Sequence, residues 1–198
     1  MNANTSTTIT NIGYLSTNYW VVSAGRSRLL IDLGYPGTLG TMRSRLNQMD
    51  IPLAEIRYAL ATHYHIDHAG LAQELKLTGV SLVVIDIQLP YIPQMKQFTK
   101  PRDQYVDISL DGNVIIATSE SRDLLANAGI PGEILSTPGH SEDSVSLLLD
   151  DGSAFTGDLT PEQYAWGETA ELVKASWQLL REKGARIIYP GHGNIRTL

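Results

Sequence analysis

All five histidines of this 198-residue chain stand in short segments that also contain glycine or aspartate. Three of them fall within residues 63–68, which read His-Tyr-His-Ile-Asp-His. The other two, His140 and His192, each follow a Pro-Gly pair. A glycine beside a ligand lets the backbone turn sharply and approach an ion closely. This density of imidazoles predicts a bound divalent metal, with zinc, iron and manganese as candidates.

The spacing within residues 63–68 predicts two metal positions rather than one. His63 and His65 are two residues apart, so in an extended segment their rings lie on the same side of the chain. Asp67 and His68 come at the turn into a predicted helix and face a second point. Two metal ions about 3.5–4 Å apart need ligands divided in this way.

Asp158 and Asp32 are two further acidic candidates. Asp158 follows a Thr-Gly pair at the end of a predicted strand, where an aspartate by itself is more often a turn or helix-capping residue. Asp32, in residues 31–34 (Ile-Asp-Leu-Gly), also ends a predicted strand, and an ordinary turn residue is its alternative. The residues alone leave both roles open.

The histidine segments alternate with predicted strands and helices. Three β-like runs with short polar or glycine breaks predict a meander of hairpins, and strands and helices alternate after it. This order predicts a mixed α/β sandwich forming a single domain, residues 1–198. Strands are predicted over residues 8–15, 18–24, 27–33, 56–62, 81–85, 113–118, 133–137, 144–149, 154–157 and, as the last strand, 187–189. Helices are predicted over residues 39–49, 71–77, 120–128 and 168–183.

The amino-acid composition limits the classes of molecule that the protein is expected to bind. A net charge of -6 without a Lys/Arg cluster argues against nucleic acid. The absence of cysteine excludes disulfides, thiolate ligands and a cysteine nucleophile, and it suits a reducing compartment. The first ten residues are polar, and no stretch reaches the roughly 18 apolar residues that span a bilayer. We therefore expect a soluble, cytoplasmic protein with a small-molecule substrate and no membrane; the oligomeric state is not predicted.

The four motifs together resemble those of the metallo-β-lactamase superfamily over essentially the whole chain. They read His-x-His-x-Asp-His, Thr-Pro-Gly-His, Thr-Gly-Asp and Pro-Gly-His-Gly, in that order. The resemblance implies a four-layer αβ/βα sandwich with two mixed β-sheets and the metals at one edge. Asp32 would support the metal loop by hydrogen bonding. The implied ligands are His63, His65 and His140 for a first metal, Asp67, His68 and His192 for a second, and Asp158 bridging the two.

The resemblance also implies a reaction class. Two divalent ions bring about +4, while Asp67, Asp158 and a hydroxide bring about −3, so the site keeps a positive balance. Metal binding lowers the pKa of water to about 7. A metal-bridging hydroxide would attack the carbonyl of a small ester, lactone or thioester, and Asp67 would steer it or carry its proton. We predict a hydrolase with two divalent ions, zinc being the first expectation.

The fold does not fix the substrate, and several branches of the superfamily are candidates. The ligand set resembles the glyoxalase II, lactonase and ribonuclease Z branches, and residues 63–70 match the acyl-homoserine lactonases closely. Those lactonases carry a tyrosine three residues after the bridging aspartate; here Pro161 stands there, and Tyr164 is the candidate catalytic substitute, with packing as its alternative. Where the family usually has glycine, this chain has Asp143, an aspartate that tolerates left-handed backbone angles. A true β-lactamase is disfavoured because those enzymes are exported and differ at Asp158.

Other classes stay open beside the hydrolase. A mononuclear iron oxidoreductase of the persulfide dioxygenase type keeps the same histidines, and a phosphodiesterase or a binding protein on a retired enzyme fold are further alternatives. The walls of the substrate pocket are expected to come from residues 35–37, 90–111 and 164–166. Residues 90–111 form either a substrate-covering loop or a long connection.

Overall fold

The computed structural model describes residues 7–25 and 27–198. Residues 1–6 of the polar N-terminal segment, and Arg26 in the second hairpin break, lie outside the described residues. The strands are β1 Thr7–Asn11, β2 Trp20–Ala24, β3 Ser27–Ile31, β4 Ile56–Leu60, β5 Ser81–Ile85, β6 Val114–Ile116, β7 Gly132–Ser136, β8 Val145–Leu149, β9 Ser153–Gly157, β10 Ile187–Pro190 and β11 Arg196–Thr197. The α-helices are α1 Leu39–Gln48, α2 Ile66–Ala69, α3 Ala72–Leu77, α4 Ser121–Asn127 and α5 Ala170–Glu182.

The strands form two mixed sheets, as predicted. The first has the order β1-β2-β3-β4-β5-β6, antiparallel through β3 and parallel after it. The second has the order β11-β10-β9-β8-β7, in which the β9–β10 pair is parallel and the other pairs are antiparallel. A chain that begins with hairpins and then alternates strands with helices builds such sheets because only the crossovers yield parallel neighbours.

Alternation along the strands separates three hydrophobic clusters. Leu29 and Ile31 belong to the cluster shared by the two sheets, while Leu30 faces a second cluster with Met42 and Leu46 of α1. A third cluster joins the outer side of the second sheet to α5. Successive strand residues point to opposite faces, so one strand serves both layers. The result is the expected order helix, sheet, sheet, helix.

The topology brings one end of five strands to the same edge. β3 and β4 are parallel, and so are β9 and β10; β7 runs the same way as β9 because β8 is antiparallel to both. The segments leaving these strands carry every candidate ligand. Main-chain bonds join the two sheets here, with the Val145 N–H donating to the Thr62 carbonyl at 2.8 Å.

Several predicted strand limits are wrong, two of them most clearly. The first strand ends at Asn11 rather than at residue 15, because Leu15 and Ser16 both have positive φ and turn the chain tightly. Residues 187–189 are not the last strand: β11 follows and pairs with β10 through Ile188 and Arg196. A two-residue strand carries too little pattern to be predicted. Among the residues that the structure describes, no helix is long and apolar enough to cross a bilayer.

Candidate metal centre

Three histidine nitrogens converge where β4 and β7 end. His63 Nε2 lies 3.0 Å from His65 Nδ1, and His140 Nε2 lies 3.1 Å from the same atom. The rings meet edge to face rather than stacked. Nitrogen lone pairs that face one another repel unless a proton or a cation lies among them. The arrangement therefore has the character of a three-nitrogen cation site.

A second set forms around the start of α2. Asp67 Oδ2 lies 3.3 Å from His68 Nε2 and 3.2 Å from His192 Nε2. The Thr17 hydroxyl donates to the same carboxylate oxygen at 3.1 Å. Residues far apart in the chain thus meet at one carboxylate.

Asp158 lies between the two sets. One of its oxygens, Oδ1, is 3.3 Å from His68 Nε2. The other, Oδ2, is 3.4 Å from His192 Nε2 and 3.7 Å from His140 Nε2, so it faces both groups of nitrogens. This position is the one expected of a bridging carboxylate, rather than of a turn or helix cap.

The hydrogen bonds behind two of the rings direct their Nε2 atoms towards the centre as candidate ligands. The His192 Nδ1–H donates to the Ser16 carbonyl at 2.8 Å. The Thr62 hydroxyl donates to Asp32 at 2.8 Å, so at 3.1 Å it accepts the Nδ1–H of His63. Both His192 and His63 therefore present Nε2 to the centre.

Asp32 is fully buried and fixes both the metal loop and His68. Its Oδ1 accepts the Thr62 N–H and hydroxyl, each at 2.8 Å, and its Oδ2 accepts the Nδ1–H of His68 at 2.8 Å. It holds a positive φ of 60°, a conformation that aspartate tolerates better than most residues. Its supporting position matches the expectation from the resemblance.

Two orphaned atoms show that this pocket fits a cation. His68 Nε2 and Asp158 Oδ1 are buried without a hydrogen-bond partner in the described structure. Gly191 closes over the same two side chains, since a Cβ on it would lie 2.5 Å from Asp158 Oδ1 and 2.6 Å from the His68 ring. Buried polar atoms are seldom left unpaired, and a cation between these two atoms would be a partner for both.

The electrostatics of the centre also favour positive charge. Burial lowers the pKa of His68, but the carboxylates of Asp32, Asp158 and Asp67 outweigh burial and raise it well above its usual range. Burial raises the pKa of Asp67, yet the hydrogen bond and charge of His68 bring it below normal. Burial, and then the neighbouring imidazoles, lower the pKa of His63.

Zinc binding at neutral pH should therefore release the proton held by His68, in addition to any proton lost by metal-bound water. His63 and His140, whose pKa values are lowered, release none. Calorimetric titration of zinc in buffers of different ionisation enthalpy measures the number released. It should fall as the pH rises through the His68 pKa, and it should be lower at pH 7 in Asp32→Asn. A binding enthalpy that is independent of the buffer at pH 7 would contradict this assignment.

The sequence reasoning missed Gln88 and the role of Asp143. Buried Gln88 donates to the carbonyls of Ala61 and Thr62 at 3.1 and 3.4 Å and to that of Asp143 at 3.3 Å. Asp143 does not need left-handed angles, since its φ is not positive; its carboxylate accepts the Tyr64 N–H at 2.7 Å. An isolated glutamine before an irregular segment gives no sequence signal of such a role.

Asp143→Gly restores the residue that the family usually has and should weaken the centre. It leaves the Tyr64 N–H, between ligand candidates His63 and His65, buried without an acceptor. We expect zinc affinity to fall about tenfold and the free energy of unfolding to fall by about 2 kcal/mol. Competition with a chromophoric chelator measures the first. Asp143→Asn keeps an acceptor oxygen and should retain most of both; equal affinity in all three proteins would show that the contact is inert.

Three clefts contain the candidate ligands or the predicted wall segments. One of about 280 Å³ is lined by His140, Asp158 and His192. A second, of about 460 Å³, is lined by Tyr35, residues 102–104 and Ile66, which precedes Asp67. The predicted wall segments 35–37 and 90–111 thus meet in one cleft beside the centre.

Tyr164 lines the third cleft, of about 480 Å³, together with Trp166. Its side chain is 65% exposed, and it follows the turn that Pro161 begins. It does not line the cleft of His140, Asp158 and His192. The catalytic role expected of Tyr164 stays a prediction that this placement does not favour.

Comparisons with known proteins agree with the geometry. The model of the metallo-beta-lactamase superfamily matches residues 12–192, and the chain belongs to this superfamily. It is 31% identical over 186 residues to an atrochrysone carboxyl ACP thioesterase of Aspergillus fumigatus, covering 90% of this chain and 51% of that protein. It is 30% identical over 181 residues to the lactamase-like protein nscB of Trichophyton rubrum, covering 89% and 49%. The chain thus spans about half the length of these relatives.

A solved structure confirms the fold class. The crystal structure of the BLEG-1 B3 metallo-beta-lactamase superposes with a TM-score of 0.73 at 20% identity, covering 96% of this chain and 94% of that one. The four-layer sandwich with two mixed sheets is therefore the fold of this protein. Its histidine and aspartate groups could hold metal, as the superfamily leads one to expect.

Proposed function

We propose that this protein is a metal-dependent hydrolase of small carboxylic esters and thioesters. The observation that carries the proposal is the position of Asp158 between two convergent sets of ligand atoms. Three groups of residues each bring three ligand atoms to within 4.8 Å of one another. They are His63-His65-His140, Asp67-His68-His192 and, with Asp158, His63-His68-Asp158. A carboxylate so placed suits two adjacent divalent ions, for which zinc is our assignment.

The relatives favour a thioester over a lactam. One is named as a thioesterase acting on an acyl carrier protein, and a second, from Emericella nidulans, is named as a thioesterase. A thioester carbonyl is attacked by the same nucleophile as an ester or lactone carbonyl, so the centre serves all three. We place the thioester first among them.

Each residue of the centre has a defined role in the proposed reaction. Divalent ions held here would supply Lewis acidity and a nucleophilic water at neutral pH. Asp67, whose pKa is held below its usual range by His68, is ionised at neutral pH. We assign Asp67 the role of accepting the proton of the attacking water. The Thr17 hydroxyl donates to this carboxylate at 3.1 Å and fixes its position. His192 is oriented by Ser16, and its Nε2 lies 3.2 Å from the same Asp67 oxygen that Thr17 contacts.

The first experiment measures metal content and hydrolysis on the same untagged protein. Elemental mass spectrometry should find about two zinc ions per chain. The protein should then hydrolyse acyl thioesters, measured by thiol release, and lose the activity on chelation and regain it with zinc. Inactivity of the reconstituted protein on thioesters, esters and lactones would contradict the proposal. A single iron with oxygen uptake on persulfides would instead identify the oxidoreductase alternative.

A further inference from the structure

Arg196 stands at the metal centre although it belongs to none of the ligand motifs. It lies in β11 and lines the same cleft of about 280 Å³ as His140, Asp158 and His192. The family motifs end at residue 193, so no pattern in the sequence draws attention to it.

The side chain and the backbone of Arg196 are both held in place. Its guanidinium carbon lies 5.4 Å from the ring centre of Trp177, at the distance of a cation–π contact. Trp177 is 2% exposed, and its indole N–H donates to the Thr160 carbonyl at 2.8 Å, so the ring cannot turn away. The backbone of Arg196 pairs with Ile188 of β10.

Arg196 has no acidic partner among residues 7–25 and 27–198. No carboxylate of this part of the chain lies within 4 Å of its guanidinium. Arg43, Arg45, Arg57 and Arg186 likewise have no such ion pair, but among these five arginines Arg196 is the one that lines the cleft of His140, Asp158 and His192. The planar guanidinium is the side chain best suited to hold a carboxylate or phosphate with two parallel hydrogen bonds.

We propose that Arg196 binds an anionic group of the substrate, a carboxylate or a phosphate, beside the thioester or ester that the centre hydrolyses. This inference rests on the proposed function and narrows its substrates to negatively charged acyl compounds. The anion is held at the wall of the cleft by Arg196, and the scissile carbonyl extends from there towards Asp158 and His192. Trp177 keeps the guanidinium at that wall before the substrate arrives, which lowers the entropy lost on binding.

The test compares three thioesters that carry one and the same butanoyl group. Their thiols are N-acetylcysteamine, which is neutral, 3-mercaptopropanoate, which carries a carboxylate, and phosphopantetheine, which carries a phosphate. The proteins are the zinc-loaded wild type, Arg196→Met, Arg196→Lys and, as a matched control, Arg186→Met. The control removes the same charge from an arginine that precedes β10 and does not line the cleft.

The wild type should show a KM for one or both anionic thioesters about tenfold below that for the neutral one. Arg196→Met should remove this preference with little change in kcat, and Arg196→Lys should keep part of it. High salt should raise the KM for the anionic thioesters only. Whichever anionic thioester responds to Arg196 identifies carboxylate or phosphate as the group recognised.

A binding measurement separates the failure of this inference from that of the proposed function. In calorimetry on zinc-loaded protein, 3-mercaptopropanoate, phosphopantetheine or both should bind about tenfold more tightly than N-acetylcysteamine, and Arg196→Met should abolish the difference. Active enzyme with equal KM values for all three thioesters, unaltered in Arg196→Met, would overturn the role of Arg196 and leave the hydrolase standing. A protein that hydrolyses none of them would contradict the proposed function, and equal binding of all three thiols would then overturn this inference as well.

Discussion

Asp158→Ala should lower kcat/KM by about a thousandfold and reduce the zinc content from two ions per chain to at most one. The reason is geometric, because within the described part of the chain Asp158 is the carboxylate whose oxygens face nitrogens of both ligand sets, at 3.4 Å from His192 and 3.7 Å from His140. Steady-state kinetics and elemental analysis of the same preparation measure both effects.

The matched control is Asp158→Asn, which keeps the shape and one carbonyl oxygen but loses the charge. It should retain more metal than Asp158→Ala and still lose most of the activity. Thermal unfolding of the zinc-free proteins checks that neither variant is misfolded. If Asp158→Ala retains both ions and full activity, the two-ion centre proposed for this chain is wrong.

Asp32→Ala should have the largest effect on stability, lowering the free energy of unfolding by about 3 kcal/mol or more. It leaves three buried donors without an acceptor, the N–H and hydroxyl of Thr62 and the Nδ1–H of His68, and each costs about 1–3 kcal/mol. Alanine is also less stable than aspartate at a φ of 60°. Chemical denaturation of the zinc-free protein measures the loss.

Asp32→Asn separates stability from metal binding. Its amide oxygen can still accept from Thr62, and asparagine tolerates a positive φ, so the stability should stay closer to that of the wild type. Its amide N–H groups, however, face His68 Nδ1 and drive the ring to carry its proton on Nε2, the atom aimed at the centre. Zinc affinity should fall about 10- to 100-fold. Unchanged affinity in Asp32→Asn would remove Asp32 from the metal-supporting role.

Much of the fold could be predicted because its elements are strongly patterned. The predicted bounds of β5, residues 81–85, are the observed ones, and those of α5 agree within about two residues, since acids lie early and bases late in it. The candidate ligands could be found because three imidazoles and a carboxylate within six residues seldom occur together except at a metal site. The division of residues 63–68 into two sets came from their spacing, and the places of His140, His192 and Asp158 came from the family resemblance. Two of the three groups in the structure correspond to these sets, and the third joins His63 and His68 through Asp158.

The contacts made by residues outside the motifs could not be predicted. Only the assembled sheets bring three such residues to the centre: Gln88, Thr17 and Arg196. Arg196 lies in a strand of two residues, which is too short to be recognised in the sequence. Asp143 stands out in the sequence as a departure from the family, but its contact with the Tyr64 N–H depends on two loops from different sheets. The hydrophobic periodicity of a sequence predicts single helices and strands, and it gives no information on contacts between loops of different elements.

The contact between the first and last parts of the chain has a consequence for the order of folding. The Asn18 N–H donates to the Gly191 carbonyl at 2.7 Å, and His192 reaches the Ser16 carbonyl at 2.8 Å. Closing a loop of this length is entropically costly and occurs late. A nascent chain released only up to residue 150 would contain His63, His65 and His140 but neither Asp158 nor His192. The ribosome therefore delivers His63, His65 and His140 before Asp158 and His192, and the ligand set proposed here is complete only after the segment that carries His192 has docked.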